Sequence, residues 1–263
     1  MRADVYLTLY GDVASRTRAQ RLIADGCVRI DGVLLTRAHT DVDERVEHRL
    51  EIVDTLPFVG RGGLKLDGAL DAFGVDCREK TALDIGASTG GFTDCLLQRG
   101  ASLVFAVDSG SGQLAPSLRE DERVINIENC NARYLCAEML GGRFPASGAD
   151  LAVMDVSFIS QTFILPAISS LLSDNGDAIT LIKPQFEVGR AAIGKGGIVR
   201  DATARRECIR RVLECASTVG LYPTGLIRSP IEGGDGNVEY LAHFRKKSDE
   251  CREIAALLRG IHI

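Results

Sequence analysis

Ala82-Leu83-Asp84-Ile85-Gly86-Ala87-Ser88-Thr89-Gly90-Gly91-Phe92-Thr93 runs from a short, mostly apolar segment through a glycine-rich turn into a helical pattern. Glycines at the end of a strand allow a tight turn and let a ligand approach the backbone. Downstream, Leu103 to Val107, Val124 to Ile127, Leu151 to Met154 and Ala178 to Ile182 are similarly near-continuous apolar runs. Such runs suit parallel strands buried on both faces. Helical patterns lie between and around them, at Leu64 to Phe73, Gly91 to Arg99, Ser157 to Leu172 and Asp201 to Val219. The alternation predicts an α/β fold built on an open, doubly wound, Rossmann-like sheet. Two late strands, Tyr222 to Arg228 and Val238 to Arg245, flank a Gly-rich loop and should close the sheet as an antiparallel pair.

Upstream of this pattern, residues 1–55 read as a small α+β domain. Val5, Leu9 and Val13 share one face of a first helix, interrupted at Gly11. Ser15 is positioned as the N-cap of a second helix that carries Ala19, Leu22 and Ile23 and ends near Gly26. Asp31-Gly32 between Cys27–Ile30 and Val33–Leu35 is a hairpin signal, because both turn residues must take positive φ. Arg49 to Val53 reads as one more strand. Residues 56–63, with Pro57, Gly60, Gly62 and Gly63, read as a linker, 64–246 as the large domain and 247–263 as a tail.

The chain has 263 residues and a net charge of −5, which argues against a uniformly basic nucleic-acid binder. Its basic residues are local instead. Arg16, Arg18 and Arg21 open the second helix, Arg29 and Arg37 follow on the hairpin, and the acids of that domain gather at Asp41, Asp43, Glu44 and Glu47. This leaves a basic face for phosphate contacts, the alternative being a merely solvated helix face. The eight Cys form no C-x-x-C pair and suit reduced, mostly buried positions better than a metal site or a disulfide framework. No apolar run approaches a membrane span or a secretory leader, so a cytoplasmic protein without a membrane anchor is expected.

The glycines of the turn do not fit the G-x-G-x-x-G spacing of dinucleotide sites. The second strand ends at Asp108, where a carboxylate can bind two ribose hydroxyls. Together they favour S-adenosylmethionine over nicotinamide or flavin ligands, the bland alternative being a tight turn beside a surface acid. The expected cofactor set is Asp84, Gly86, Ala87, Ser88, Thr89, Gly90, Gly91, Phe92, Thr93, Asp108 and Asn131.

Lys65, Asp155, Lys183 and Glu239 stand out by position. Ligands of doubly wound sheets bind beyond the carboxyl ends of the parallel strands, and Asp155 and Lys183 should project there. Singly, each charge is readily read as a solvated strand end. In the order Lys, Asp, Lys, Glu they resemble the tetrad of FtsJ-type ribose 2′-O-methyltransferases. The stretches Phe58–Leu66, Asp84–Thr93, Asp155–Ser160, Lys183–Glu187 and Gly197–Asp201 resemble the TlyA family, also called hemolysin A. Ser15-Arg16, Ala19, Ile23, Gly26, Val28 and Asp31-Gly32 resemble an S4 RNA-binding domain. One departure is Gly60, where family members often carry Ser.

The resemblance implies methylation of cytidine 2′-hydroxyls in ribosomal RNA within ribosomal subunits, without metal. It also implies a short subtype favouring large-subunit RNA. Lys65, Asp155, Lys183 and Glu239 would be catalytic. Lys183 would align the hydroxyl and accept its proton, Asp155 would hold Lys183, and Lys65 with Glu239 would fix the ribose. A free lysine titrates near 10.4, so poising it near neutrality costs roughly 4 kcal/mol, whereas alignment is worth up to roughly 7–11 kcal/mol. Arg61, Arg190, Lys195 and Arg200 join the expected RNA contacts, the last three on a Gly-rich loop able to cover the target. The rivals are an inactive S4-type RNA-binding protein and a membrane-lytic protein; the intact tetrad and the lack of long apolar spans argue against them.

Overall fold

The computed structural model describes residues 1–24, 26–52, 57–233, 236–246 and 251–261, and the side chains of Arg21 and Ala24 lie outside that set. The small domain comprises α1 (Ala3–Tyr10), α2 (Arg16–Ala24), β1 (Val28–Ile30), β2 (Val33–Leu34) and β3 (Leu50–Ile52). Its sheet has the order β2-β1-β3, with all pairs antiparallel. The hairpin turn is as read from the sequence: Asp31 and Gly32 take φ 53° and 78°. Ser15 caps α2 by accepting the Arg18 N–H at 3.2 Å. Val53, the expected end of β3, lies outside the described residues.

The buried face of α1 differs from the one the sequence suggested. Ala3, Asp4, Tyr6 and Leu7 are buried, whereas Leu9 is 62% exposed and Val13 packs from beyond the helix end. The reason is Asp4. Its buried carboxylate accepts hydrogen bonds from Arg2, Arg16 and Gln20, so an acid occupies a place that an apolar pattern could not anticipate. Buried carboxylates persist when charged donors surround them.

The large domain runs α3 (Gly62–Phe73), β4 (Thr81–Ile85), α4 (Gly91–Gln98), β5 (Leu103–Val107), α5 (Pro116–Arg119), β6 (Val124–Ile127), α6 (Ala137–Leu140), β7 (Ala149–Met154), α7 (Leu165–Leu171), β8 (Leu172–Ile182), α8 (Pro184–Glu187), α9 (Ala202–Thr218), β9 (Leu221–Arg228), β10 (Tyr240–Lys246) and α10 (Ile254–Arg259). The sheet order is β6-β5-β4-β7-β8-β10-β9. β4 to β8 pair in parallel, and β10 lies antiparallel between β8 and β9. Alternate strand residues feed opposite cores, as the two-residue period requires. Leu83, Ile85, Phe105 and Met154 join α7 and α9 on one face. Ala82, Val104, Leu151 and Ile179 join α3 and α4 on the other.

Two expectations need correction. The helix expected over 157–172 does not start until Leu165, because Pro166 fits only a first turn and Phe158 takes φ 66°. The stretch read as a linker over 56–63 is, from Phe58 onward, part of the large domain. Phe58 is buried in the α3–α4 core, the Val59 N–H donates to Asp94, and a Cβ on Gly63 would lie 2.3 Å from the Phe58 ring. Glycine there admits the ring against the helix backbone, which is why α3 begins inside the expected linker. Among the eight Cys, Cys27, Cys77, Cys95 and Cys208 are buried and Cys251 is exposed.

Candidate active site

β4 is the strand at which the order reverses, with β5 on one side and β7 on the other. A crevice must open above its carboxyl end, because the following connections leave in opposite directions. A cavity of about 460 Å³ lies there, lined among others by Gly86, Ser88, Asp108, Asn131, Asp155 and Phe158. That volume is in the range of small-molecule and cofactor sites, roughly 300–1,000 Å³. Gly86 has φ 85°, and a Cβ on it would come within 2.5 Å of the Asp155 carbonyl oxygen. Only glycine lets β4 and β7 approach this closely beneath the cavity.

Asp108 follows β5. Its Oδ2 accepts the Ser88 N–H at 2.8 Å and its Oδ1 the Gly110 N–H at 2.7 Å. Each oxygen retains acceptor capacity for a hydroxyl, so the residue is oriented and still able to bind. Asn131 caps a 3-10 turn by accepting the Arg133 N–H at 3.1 Å. Gly86, Ser88, Asp108 and Asn131 thus meet at the cavity.

The rest of the expected cofactor set supports the turn from behind. Asp84 is fully buried and accepts the Thr93 hydroxyl at 2.6 Å. Phe92 and Ala87 pack in the α3–α4 core. A Cβ on Gly90 would strike Leu118, and one on Gly91 would lie 3.0 Å from the Gly63 nitrogen. Thr89 is exposed, facing Gly60, and its carbonyl accepts the Ala115 N–H at 3.1 Å. Asp84, Ala87, Thr89, Gly90, Gly91, Phe92 and Thr93 are therefore not among the residues lining the cavity.

The four residues singled out for chemistry form two ion pairs. Lys65 Nζ donates to Glu239 Oε2 at 2.6 Å, both side chains being buried. Lys183 Nζ lies 2.5 Å from Asp155 Oδ1 and donates to Ser157 Oγ at 3.0 Å. Strand register brings the pairs together. Tyr240 pairs with Ile182, so Glu239 and Lys183 extend the same antiparallel ladder by one step. The first turn of α3, one turn before Lys65, abuts Asp155: a Cβ on Gly62 would lie 3.9 Å from Asp155 Oδ2.

Two sequence stretches lock into one another at this rim. Glu187, after β8, accepts the Ser160 hydroxyl at 2.6 Å and the Gln161 N–H at 2.9 Å. Burial pushes its carboxyl up, against the pull of those bonds. Phe186 packs 5.1 Å from Phe158. Phe158 is 90% exposed at the cavity edge. An apolar ring in a strand-to-helix connection reads as core from sequence, so its exposure was not legible.

Residues 58–246 match the model of the FtsJ-like methyltransferase family. The chain belongs to that family. It is 41% identical over 261 residues to the 16S/23S rRNA (cytidine-2′-O)-methyltransferase TlyA of Mycobacterium tuberculosis, covering 99% of this chain and 96% of that one. It is 43% identical over 245 residues to hemolysin A of Brachyspira hyodysenteriae, covering 93% and 99%. A solved structure from Streptococcus thermophilus, provisionally named a hemolysin, has a TM-score of 0.72 at 38% identity and covers 99% and 94%. Among the described residues of this FtsJ-like methyltransferase, no helix is long and apolar enough to cross a membrane.

The expected RNA contacts are spread over the molecule. Arg16 is half exposed and paired with Asp4 at 3.0 Å, and Arg29 donates to the Gly32 carbonyl at 3.2 Å. Arg18 is exposed, while the side chain of Arg21 lies outside the described residues. Arg190, Lys195 and Arg200 are exposed on the loop after α8. Buried Asn237 fastens that loop: it accepts the Val199 N–H and donates to the Gly197 carbonyl, both at 3.0 Å. Arg37 and Arg61 both turn to Glu232, whose neighbour Gly233 lies against the tetrad's Glu239.

Proposed function

We propose that the protein transfers the methyl group of S-adenosylmethionine to a cytidine 2′-hydroxyl in ribosomal RNA, acting on ribosomal subunits. What supports this reading is the pairing of Lys65 with Glu239 and of Lys183 with Asp155, Asp155 lining the cavity at the reversal point of the sheet and Glu239 and Lys183 lying one step past the β8–β10 ladder. The cradle fits the cofactor: Asp108 has acceptor capacity for ribose hydroxyls, Asn131 also lines the cavity, and Gly86 has no Cβ to collide with the Asp155 backbone at its floor. Bound there, S-adenosylmethionine would supply an electrophilic methyl on a sulfonium.

The remaining work belongs to the protein. A ribose hydroxyl is a weak nucleophile, so it must be aligned and its proton taken up. Lys183 is held from two sides, by Asp155 and Ser157, and presents Nζ at the rim. It aligns the hydroxyl, and the proton leaves into the Lys183–Asp155 pair. The more deeply buried Lys65–Glu239 pair braces the neighbouring ladder and bounds the ribose. Phe158 offers a flat apolar face to an unstacked base, and the 2′-hydroxyl itself selects RNA over DNA. The small domain, with its exposed arginines, holds RNA backbone in the manner of an S4 module. This reading implies the cytoplasm as the place of action.

The test is Lys183→Ala with labelled cofactor and unmethylated large and small ribosomal subunits, since the Mycobacterium tuberculosis relative is named for both 16S and 23S rRNA. Methyl transfer should fall by roughly 10²–10⁴-fold while cofactor affinity, measured by calorimetry, stays close to that of the unaltered protein. Normal turnover in this variant would remove Lys183 from the chemistry.

A further inference from the structure

We propose that Arg37, Arg61 and Arg228 form a binding site for an RNA phosphodiester, which the Glu232 carboxylate occupies in the absence of RNA. This rests on the RNA-methyltransferase reading and deepens it by locating a backbone contact that spans both domains. Arg37, from the small domain, donates Nε–H to Glu232 Oε2 at 2.8 Å and engages Oε1 through Nη2. Arg228, at the end of β9, donates to Glu232 Oε1 at 3.2 Å. Arg61 donates to the Glu232 main-chain carbonyl at 3.1 Å.

Two guanidiniums therefore grip the carboxylate and a third holds the main-chain carbonyl of the same residue, and the cluster remains positive. A carboxylate and a phosphodiester present the same pair of oxygens to an arginine fork, so one can replace the other on Arg37 without rebuilding the site. The Arg61 Nε–H is buried and has no acceptor among the described residues. A buried donor without an acceptor is uncommon in folded proteins and marks a place for a ligand oxygen.

The described residues on either side of Glu232 are held in place. On one side Ile231 is buried and its carbonyl accepts the Ser229 hydroxyl at 2.7 Å. On the other, Asn237 is buried and bonded to the loop after α8. Between them, Gly233 lies directly against the tetrad: a Cβ there would be 2.6 Å from Glu239 Oε1. Arrival of RNA backbone at the arginines is thus felt one residue from a group that touches Glu239.

The test uses the full chain and a short fluorescein-labelled single-stranded RNA, titrated by anisotropy over a range of salt. Arg228→Ala should bind more weakly and lower the slope of log affinity against log salt by about 0.7. Glu232→Gln keeps the shape but removes the competing charge, and should tighten binding by roughly two- to fivefold, the scale of an ion pair whose arginines are half exposed. If Glu232→Gln binds no tighter than the unaltered protein, Glu232 is only a clasp between domains and the proposal falls. If that variant does not fold, Arg228→Ala decides alone, and an unchanged slope overturns the proposal. Methyl transfer to ribosomal subunits is measured alongside. Transfer without these binding changes removes the phosphate site and spares the enzyme reading, whereas the binding changes without transfer do the reverse.

Discussion

Asp84 lies inside β4, between Leu83 and Ile85, with its carboxyl wholly buried, one oxygen bonded to Thr93 and the other without a partner among the described residues. Burial pushes this carboxyl up to about 7, with the Asp155 charge adding to the shift and the Thr93 bond opposing it. An unfolded chain gives up the proton near pH 4, whereas the folded chain keeps it until about 7. Stability therefore falls as pH rises through that window and is lower by roughly 4 kcal/mol above it. Asp84→Asn keeps an acceptor for Thr93 and cannot ionise. In urea melts at pH 5 and pH 8, its stability relative to the unaltered protein should rise by a large part of that figure. Parallel curves at both values would show that the carboxyl titrates like an exposed one. The sequence marked Asp84 as a cofactor contact because it precedes the glycine turn. Its neighbour Ile85 faces the opposite core, and which face of β4 lies beneath the turn is decided by α4, not by residue type.

At the scale of elements, the strand-end segments after β7 and β8 fold as one unit. Lys183 reaches back to Asp155 and Ser157, and Glu187 reaches back to Ser160 and Gln161. Glu187→Ala leaves a hydroxyl and an N–H without their acceptor, at a cost of about 1–3 kcal/mol for each. The more telling effect is on alignment: an error of about 1 Å costs roughly 10²-fold in rate. We expect kcat/KM for ribosomal subunits to fall by roughly that factor while cofactor affinity holds; a parallel loss of both would make Glu187 a stability residue only. The parallel strands were legible because their apolar runs are near-continuous, and α9 because Cys208, Ile209, Val212, Leu213 and Ala216 recur at helical spacing. The connection at 157–164 was not, because Phe158 and Ile159 satisfy a helical pattern that Pro166 and the positive φ of Phe158 overrule.

For the whole molecule, the small domain has its own core and its own sheet, and Phe58 belongs to the other body. A chain starting at Pro57 should keep cofactor binding and most of its stability while losing RNA affinity. A chain starting at Leu64 also loses the Phe58 ring, which should cost about 3–5 kcal/mol, as for a deleted core phenylalanine. Urea unfolding followed by circular dichroism compares the two, and equal midpoints would return residues 57–63 to the role of a spacer. The sequence changes pattern near residue 60, and separate apolar cores lie on either side of that point. The clasp from Arg37 to Glu232 was not, since it joins positions 195 residues apart and neither motif hints at the other.

The placement of β10 has a consequence for how the chain is made. β8 and β9 run parallel to each other and are bridged only by the strand that follows both in sequence. Until that strand emerges from the ribosome, the nascent chain carries β8 with one open, apolar edge and no route to close it. An unpaired edge of this kind invites pairing with other chains. The stretch of synthesis between β8 and β10 is thus the interval in which this polypeptide most needs shielding, and only after it does the last acid of its tetrad exist in place.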